Sequence, residues 1–343
     1  MRYLAFLILG IMAAALVYFS PIFLLAPSPI LGEYWTREMI VIKRDISRQI
    51  GSKNKLIIAS GSSTLFSIDT NILTKEFNIP AVNFGLVVSL PIETLFYEID
   101  RASNGGDIVI LPLEPDFYCK EEIDGYREWE IRNGIAWNRA YWDGLGLLEK
   151  LSFIKYISPT FPMDVVKAKY AQWADPASIA PRLNALNDDF VLAKFNSPQP
   201  PDENIYSIYN MDRLGNIKNT DESLYTGPPR RADLEIRICD STFSKLKEFV
   251  ARMTAKDVRV YFANTPFVSI EGLDHDKINL TSDAFDKKLS TIAPVIDSKS
   301  ELIFSRNLFL NTELHLNATG RSIRTRRLID AMNRNHIFPE IQQ

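Results

Sequence analysis

Residues 57–66 read Ile57-Ile58-Ala59-Ser60-Gly61-Ser62-Ser63-Thr64-Leu65-Phe66, and this stretch decides the fold. Its first half completes an unbroken apolar run, the pattern of a strand in a sheet covered on both faces. Gly61 carries no Cβ and permits a tight turn, and the chain then restarts as a helix. Such a turn lifts a serine out at the carboxyl end of a strand, where open α/β sheets carry their sites. Ser63 is the serine expected to act.

Outward from this turn the same alternation repeats. The spacing predicts a strand over 55–60, a helix over 69–77 capped by Asp69, and a strand over 80–84 ending at Gly85. A helix over 91–102 and the apolar strand 107–113 follow. Continuous apolar strands separated by helices predict a parallel sheet with helices on both faces. The alternation stops over 118–237, which is rich in Trp, Tyr, Pro and Asn, and resumes with a helix over 241–254 and a strand over 258–263. A helix over 282–292, a strand over 301–304 and a last helix over 318–333 complete it. The expectation is one doubly wound α/β domain over 55–343 with a mixed insertion, about 118–237, acting as a lid. Within that insertion helices are expected near 139–156 and 181–195 and a hairpin over 205–218. Its aromatics, among them Trp129, Trp137, Trp142 and Trp173, read as packing residues, with stacking on sugar rings as the alternative.

A serine needs a nearby base to become a nucleophile near neutral pH, and histidine is the usual one. The chain has 3 histidines. His315 lies in Thr312-Glu313-Leu314-His315-Leu316-Asn317, in a turn before the last helix. His275, between Asp274 and Asp276, has no supporting His or Cys cluster and reads as a solvated loop residue. His336 reads as a capping residue. Arg321, Arg324 and Arg327 share a helical spacing and read as a solvated face, or one that touches anionic lipid or polymer. No phosphate-binding or dinucleotide glycine motif is present, and no metal or cofactor is expected.

The formal net charge is −3, from 39 basic and 42 acidic residues, which argues against nucleic-acid binding. Residues 3–26 carry no charge. As a helix they reach roughly 36 Å, enough for a hydrocarbon core of about 30 Å. An uncleaved anchor over 1–26 is therefore expected in preference to a signal peptide, with an amphipathic juxtamembrane helix in 27–54. Arg37, Lys43 and Arg44 just after the span argue against an outward C-terminus, but long domains translocate largely regardless of such charges. Cys119 and Cys239 allow one disulfide in an oxidising compartment, or two separate buried thiols.

The order of strand–Gly-x-Ser, strand–Asn-x-Gly, an apolar strand and a late His before the final helix resembles the SGNH/GDSL hydrolases. The likeness covers residues 55–117 and 258–330. It is closest to membrane-anchored members of cell-envelope modification, such as the teichoic-acid D-alanyl transfer protein DltD and relatives linked to polysaccharide O-acetylation. The resemblance implies Ser63 as nucleophile, His315 as base, and the N–H groups of Ser63 and Gly85 as oxyanion donors. It departs at two places. Thr312, a neutral residue that can accept an imidazole N–H but supplies no charge, stands where the family's acid lies, and Glu114 or Asp116 is the candidate carboxylate. Leu113-Glu114-Pro115-Asp116 replaces the family's Gly-x-Asn.

What the resemblance implies is a periplasmic, single-pass inner-membrane acyltransferase or esterase. It would act on a cell-envelope polysaccharide, with the glycan, an acyl donor and the lipid bilayer through 3–26 as partners. The alternative is a catalytically inactive, SGNH-like or glycan-binding partner of a polytopic membrane O-acyltransferase.

Overall fold

The structure, a computed structural model, describes residues 2–51, 54–120, 124–198 and 200–338. Positions 52–53 of the expected juxtamembrane segment and 339–343 at the chain end lie outside the described residues. The chain forms two units, Met1–Glu38 with Ile123–Lys194, and Met39–Glu122 with Phe195–Gln343. Elements are numbered in chain order through both.

The first unit is helical. Its long helix α1 (Arg2–Leu24) is apolar enough to cross a membrane and continues through Pro21. With it fold α7 (Asp124–Ala136), α8 (Arg139–Gly144), α9 (Leu147–Ser152), α10 (Phe161–Ala174), α11 (Ala180–Ala185) and the start of α12 (Asp188–Asn196). Ile22 and Ile30 join Ile135, Trp142, Phe153, Phe161 and Val165 in one core cluster. Trp142 is thus a packing residue. The segment expected as a single lid is divided, because residues 123–194 pack with α1 while 195–237 belong to the sheet unit.

α2 (Tyr34–Ile50) carries the chain into the second unit. There β1 (Leu56–Ser60), β2 (Ala81–Gly85), β3 (Ile108–Leu111) and β4 (Arg259–Phe262) form a parallel sheet in the order β2-β1-β3-β4. Every residue of β1, β2 and β3 is buried, as a sheet covered on both sides requires. From β1 the chain passes α3 (Ser62–Ser67) and α4 (Thr70–Phe77) to reach β2, then α5 (Ile92–Ala102) to return past β1 to β3. Right-handed crossovers in opposite directions put α4 and α5 on opposite faces. On one face Leu56, Ile58, Ile108 and Ile110 pack against Leu73 of α4 and Leu328, Ile329 and Met332 of α15 (Ala318–Arg334). On the other, Phe96 of α5 stacks on Phe249 of α13 (Asp240–Ala255) at 4.2 Å. Asp69 caps α4 as expected, accepting the Asn71 N–H.

Two expectations fail. The fifth strand is not in this sheet. Ile303–Phe304 (β6) pairs with Phe267–Val268 (β5) in a separate two-stranded sheet, and only Val295 bridges to β4, at Phe262. The run around Pro294 is too short to extend the ladder, and proline has no N–H to give it. The hairpin expected over 205–218 forms only around its turn, where Met211 bridges Ile217, the Asp212 N–H donates to Asn216 O at 2.9 Å and the Lys218 N–H to Asn210 O at 2.7 Å. The Asp212 side chain takes the backbone N–H groups of Leu214 and Asn216, which turns the chain locally instead of building a ladder.

Short α6 (Pro115–Tyr118) follows β3, and Cys119 just after it is disulfide-bonded to Cys239, which caps α13, with Cα atoms 4.9 Å apart. α14 (His275–Ser290) starts earlier than expected because Asp274 caps it, which makes His275 its first residue. Arg324 is buried and paired with Asp297 at 2.9 Å, while Arg327 lies over Phe304, so the three arginines of α15 do not form one solvated face. Lys55 and Asp107 pair at 2.6 Å with both side chains buried, just before β1 and β3.

Candidate active site

In the order β2-β1-β3-β4 the winding direction reverses between β1 and β3, and the carboxyl ends of these two strands flank the position where such sheets bind ligands. Residues 61–63 leave β1 there, and Glu114 follows β3. His315 reaches the same place from the chain's last turn.

The hydroxyl that meets His315 is that of Ser62. Its Oγ lies 2.8 Å from His315 Nε2, across a sequence separation of 253. The expected serine, Ser63, is only 1% exposed, and its backbone N–H donates to Glu114 Oε1 at 2.6 Å. The difference of one residue follows from where the helix begins. α3 starts at Ser62, capped by Gly61, so Ser62 sits at the rim and stays partly exposed while Ser63 turns inward.

A second unexpected residue completes the arrangement. Asn311 Oδ1 lies 2.9 Å from His315 Nδ1, and Asn311 Nδ2 donates to Tyr206 Oη at 3.0 Å. Because the amide nitrogen is spent on Tyr206, the oxygen faces the imidazole, which fixes the proton on Nδ1. Nε2 is then bare and accepts the Ser62 hydroxyl, the tautomer a general base needs. Thr312, expected in the acid's place, does not touch the ring. Its Oγ accepts the N–H groups of Leu314 and His315, both at 3.2 Å. That side-chain turn lies inside a hairpin closed by Leu310 N–H to His315 O and by the Phe309–Leu316 bridge, which returns position 315 beside position 311.

His315 is packed against apolar surface. The Phe66 ring stacks on it at 4.3 Å, and the Tyr206 ring approaches edge-on at 6.5 Å. Burial without a neighbouring anion pushes its pKa down to about 3, so the imidazole is neutral at physiological pH. The imidazole is therefore unprotonated and placed to take the Ser62 proton, but burial makes it a weak base, and no carboxylate on Nδ1 stabilises the imidazolium that results.

Glu114 is buried but serves another purpose than the one expected of it. Its carboxyl lies under the Gly61 turn, where a Cβ on Gly61 would come within 2.9 Å of Glu114 Cδ. One oxygen holds the Ser63 N–H, and Oε2 is buried without a partner. Desolvation raises its pKa to about 7; the Ser63 N–H opposes this, as do Arg230 and Lys120, while Asp116 adds to it. Asp116 pairs with Arg230 at 2.6 Å, and Arg230 Nε approaches Glu313 at 3.6 Å. The His315 ring nitrogens meet Asn311 and Ser62 in place of the expected Glu114 or Asp116. The Gly85 N–H, expected to face an oxyanion, donates instead to Asn83 Oδ1 at 3.0 Å. Gly85 is required for a steric reason, since a Cβ there would stand 2.7 Å from Leu65 Cα. A cavity of about 510 Å³ between residues 235–241 and α14 includes neither Ser62 nor His315.

Among the described residues no group of three or more His, Cys, Asp or Glu side chains is arranged to hold a metal ion. The chain matches no protein-family model and no curated protein.

Proposed function

We propose that this protein is a membrane-anchored acyltransferase or esterase of SGNH type whose domain lies outside the cytoplasm and acts on a cell-envelope polysaccharide. The observation that carries the chemistry is the chain of contacts Ser62 Oγ–His315 Nε2–Nδ1–Asn311 Oδ1 at the switch point of the sheet. His315 takes the Ser62 proton as Oγ attacks an acyl ester or thioester carbonyl. The imidazolium returns that proton to the leaving group, and an acyl-Ser62 remains. A sugar hydroxyl or water, deprotonated by His315, then attacks the acyl carbon and releases Ser62. The amide of Asn311 plays the orienting part that an asparagine plays in Cys-His-Asn sites. The disulfide between Cys119 and Cys239 supports an oxidising compartment, and α1 supports a membrane anchor.

A specific observation also favours the alternative of an inactive partner protein. The expected oxyanion donors, the N–H groups of Ser63 and Gly85, are engaged by Glu114 and Asn83. Removing one such donor typically costs about 10²–10³ in rate.

A fluorophosphonate probe applied to the full-length protein in detergent separates the two. The adduct is expected on the peptide carrying Ser62. It should be lost in Ser62→Ala and His315→Ala and kept in Ser63→Ala. No adduct on a folded wild-type protein would leave the partner reading.

A further inference from the structure

Residues 2–18 of α1 are exposed. At 1.5 Å per residue they cover about 25 Å, whereas a bilayer's hydrocarbon core is about 30 Å thick. In a spanning α1, the charge of Arg2 would set its far end at the headgroups. The shortfall is about one helical turn, and any tilt increases it. A helix that spans therefore brings the membrane boundary to about Ile22, where protein already surrounds α1. The Tyr18 hydroxyl donates to the Pro159 carbonyl, and Phe19, Ile22 and Phe23 share a cluster with Phe153, Tyr156 and Ile157.

The surface beside that level carries several exposed apolar residues, with Glu149 and Ser152 exposed among them. α9 runs directly into the 153–156 turn and exposes Leu147, Leu148 and Leu151, and Met163 is exposed at the start of α10. Leu148 is 81% exposed. Lysines stand among these residues, with Lys150 Nζ 5.3 Å from the Trp142 ring and Lys155 Nζ 4.5 Å from that of Tyr156. Cations on long stems beside aromatic rings, within reach of headgroup phosphates, suit an interfacial position. α10 climbs away from this level, because Ser28 Oγ donates to Val165 O at 3.0 Å and Lys169 Nζ to Pro27 O at 2.7 Å.

We propose that α9 and residues 153–163 are sunk into the leaflet from which α1 emerges, with Leu147, Leu148, Leu151 and Met163 against acyl chains. The inference rests on the reading of α1 as a membrane span and is independent of the chemistry at Ser62. It makes the first unit a collar that fixes the depth of the protein in the bilayer.

The two native cysteines are paired, so one added cysteine is the only free thiol for a nitroxide label. Full-length Leu9→Cys, Leu148→Cys and Trp173→Cys are labelled and reconstituted in phosphatidylcholine–phosphatidylglycerol vesicles, and relaxation by oxygen and by a nickel chelate is compared. Leu148 and Trp173 are both 81% exposed, which makes them matched sites for labels that compare depth. The expected result is oxygen-dominated relaxation at 9 and 148 and nickel-dominated relaxation at 173. Nickel access at 148 with oxygen at 9 overturns the collar and leaves the span intact, and a protein partner then becomes the occupant of this face. Nickel access at 9 removes the span and the collar together. Oxygen dominance at 173 as well contradicts the course of α10 and overturns the depth assigned here.

Discussion

Replacing Asn311 with Asp tests the site most directly. The amide oxygen lies 2.9 Å from His315 Nδ1, so a carboxylate there stands about 4 Å from the centre of the imidazolium formed when Ser62 loses its proton. At an effective dielectric near 20, that attraction is about 4 kcal/mol, or roughly 10³ in rate. The reverse exchange in serine proteases, acid to amide, lowers kcat by about 10⁴. Tyr206, now the acceptor of the Asn311 amide, can rotate its hydroxyl to donate to the new carboxylate and limit its desolvation. A gain of roughly 10²–10³ is therefore expected in fluorophosphonate labelling and in aryl-ester hydrolysis by full-length protein in detergent. The His315 pKa should also rise from about 3 towards its ordinary 6.5, so activity should fall off on the acid side at a higher pH than in the wild type. An unchanged labelling rate in a variant that folds normally would refute the role assigned to the Ser62–His315–Asn311 chain. So would a gain that survives Ser62→Ala.

Glu114 holds its proton more tightly in the native state, at about 7 against an ordinary 4.5, so it should lower stability progressively as pH rises between those values, by up to about 3 kcal/mol. Glu114→Gln keeps the acceptor for Ser63 N–H, and its stability relative to wild type, followed by denaturant unfolding, should improve across that window; a constant difference would place the carboxyl in water. His315 has the opposite sign. Held neutral down to about 3 by burial, it contributes stability above 6.5 that is lost as pH falls, and His315→Gln should flatten the acid limb of the unfolding curve. Gly85→Ala should prevent folding or destabilise by several kcal/mol, because the clash is with the Leu65 backbone and not with a side chain able to move; a soluble variant with unchanged Tm would contradict that packing. Asp107→Ala leaves the Lys55 ammonium buried without its counter-ion and should cost about 3–5 kcal/mol in denaturant unfolding, where exposed ion pairs cost under about 1.

The strands around residue 57 were legible because burial on both faces leaves no alternation to misread; α4 begins where Asp69 indicated, and α5 and α15 begin close to the expected positions 91 and 318. His315 was legible because histidine is scarce in this chain. Ser62 was not, because the motif places a serine after the glycine but does not say which of two adjacent positions starts the helix and which turns into the core. Asn311 was missed for a related reason. A fixed spacing of three residues pointed at Thr312, whereas the turn that Thr312 itself builds makes the fourth residue the neighbour of the ring. The flanking apolar residues Phe309, Leu310, Leu314 and Leu316 carried a hairpin signal that would have pointed to Asn311. The fifth strand was misplaced because two or three apolar residues in a row identify a strand without identifying its partner.

The bridge between Cys119 and Cys239 has a topological consequence. The chain leaves the sheet unit just after the first cysteine and returns to it before the second, so the disulfide closes a ring that contains all of residues 123–194. A protease that cuts this excursion once opens the ring and releases nothing. The two halves of the sheet, β1 to β3 on one fragment and β4 on the other, remain covalently tied at their carboxyl side. Nicked protein should therefore migrate as an intact chain until a reductant is added, and only then part into two pieces. Damage to the helical excursion is in this way kept from becoming loss of the unit that carries Ser62 and His315.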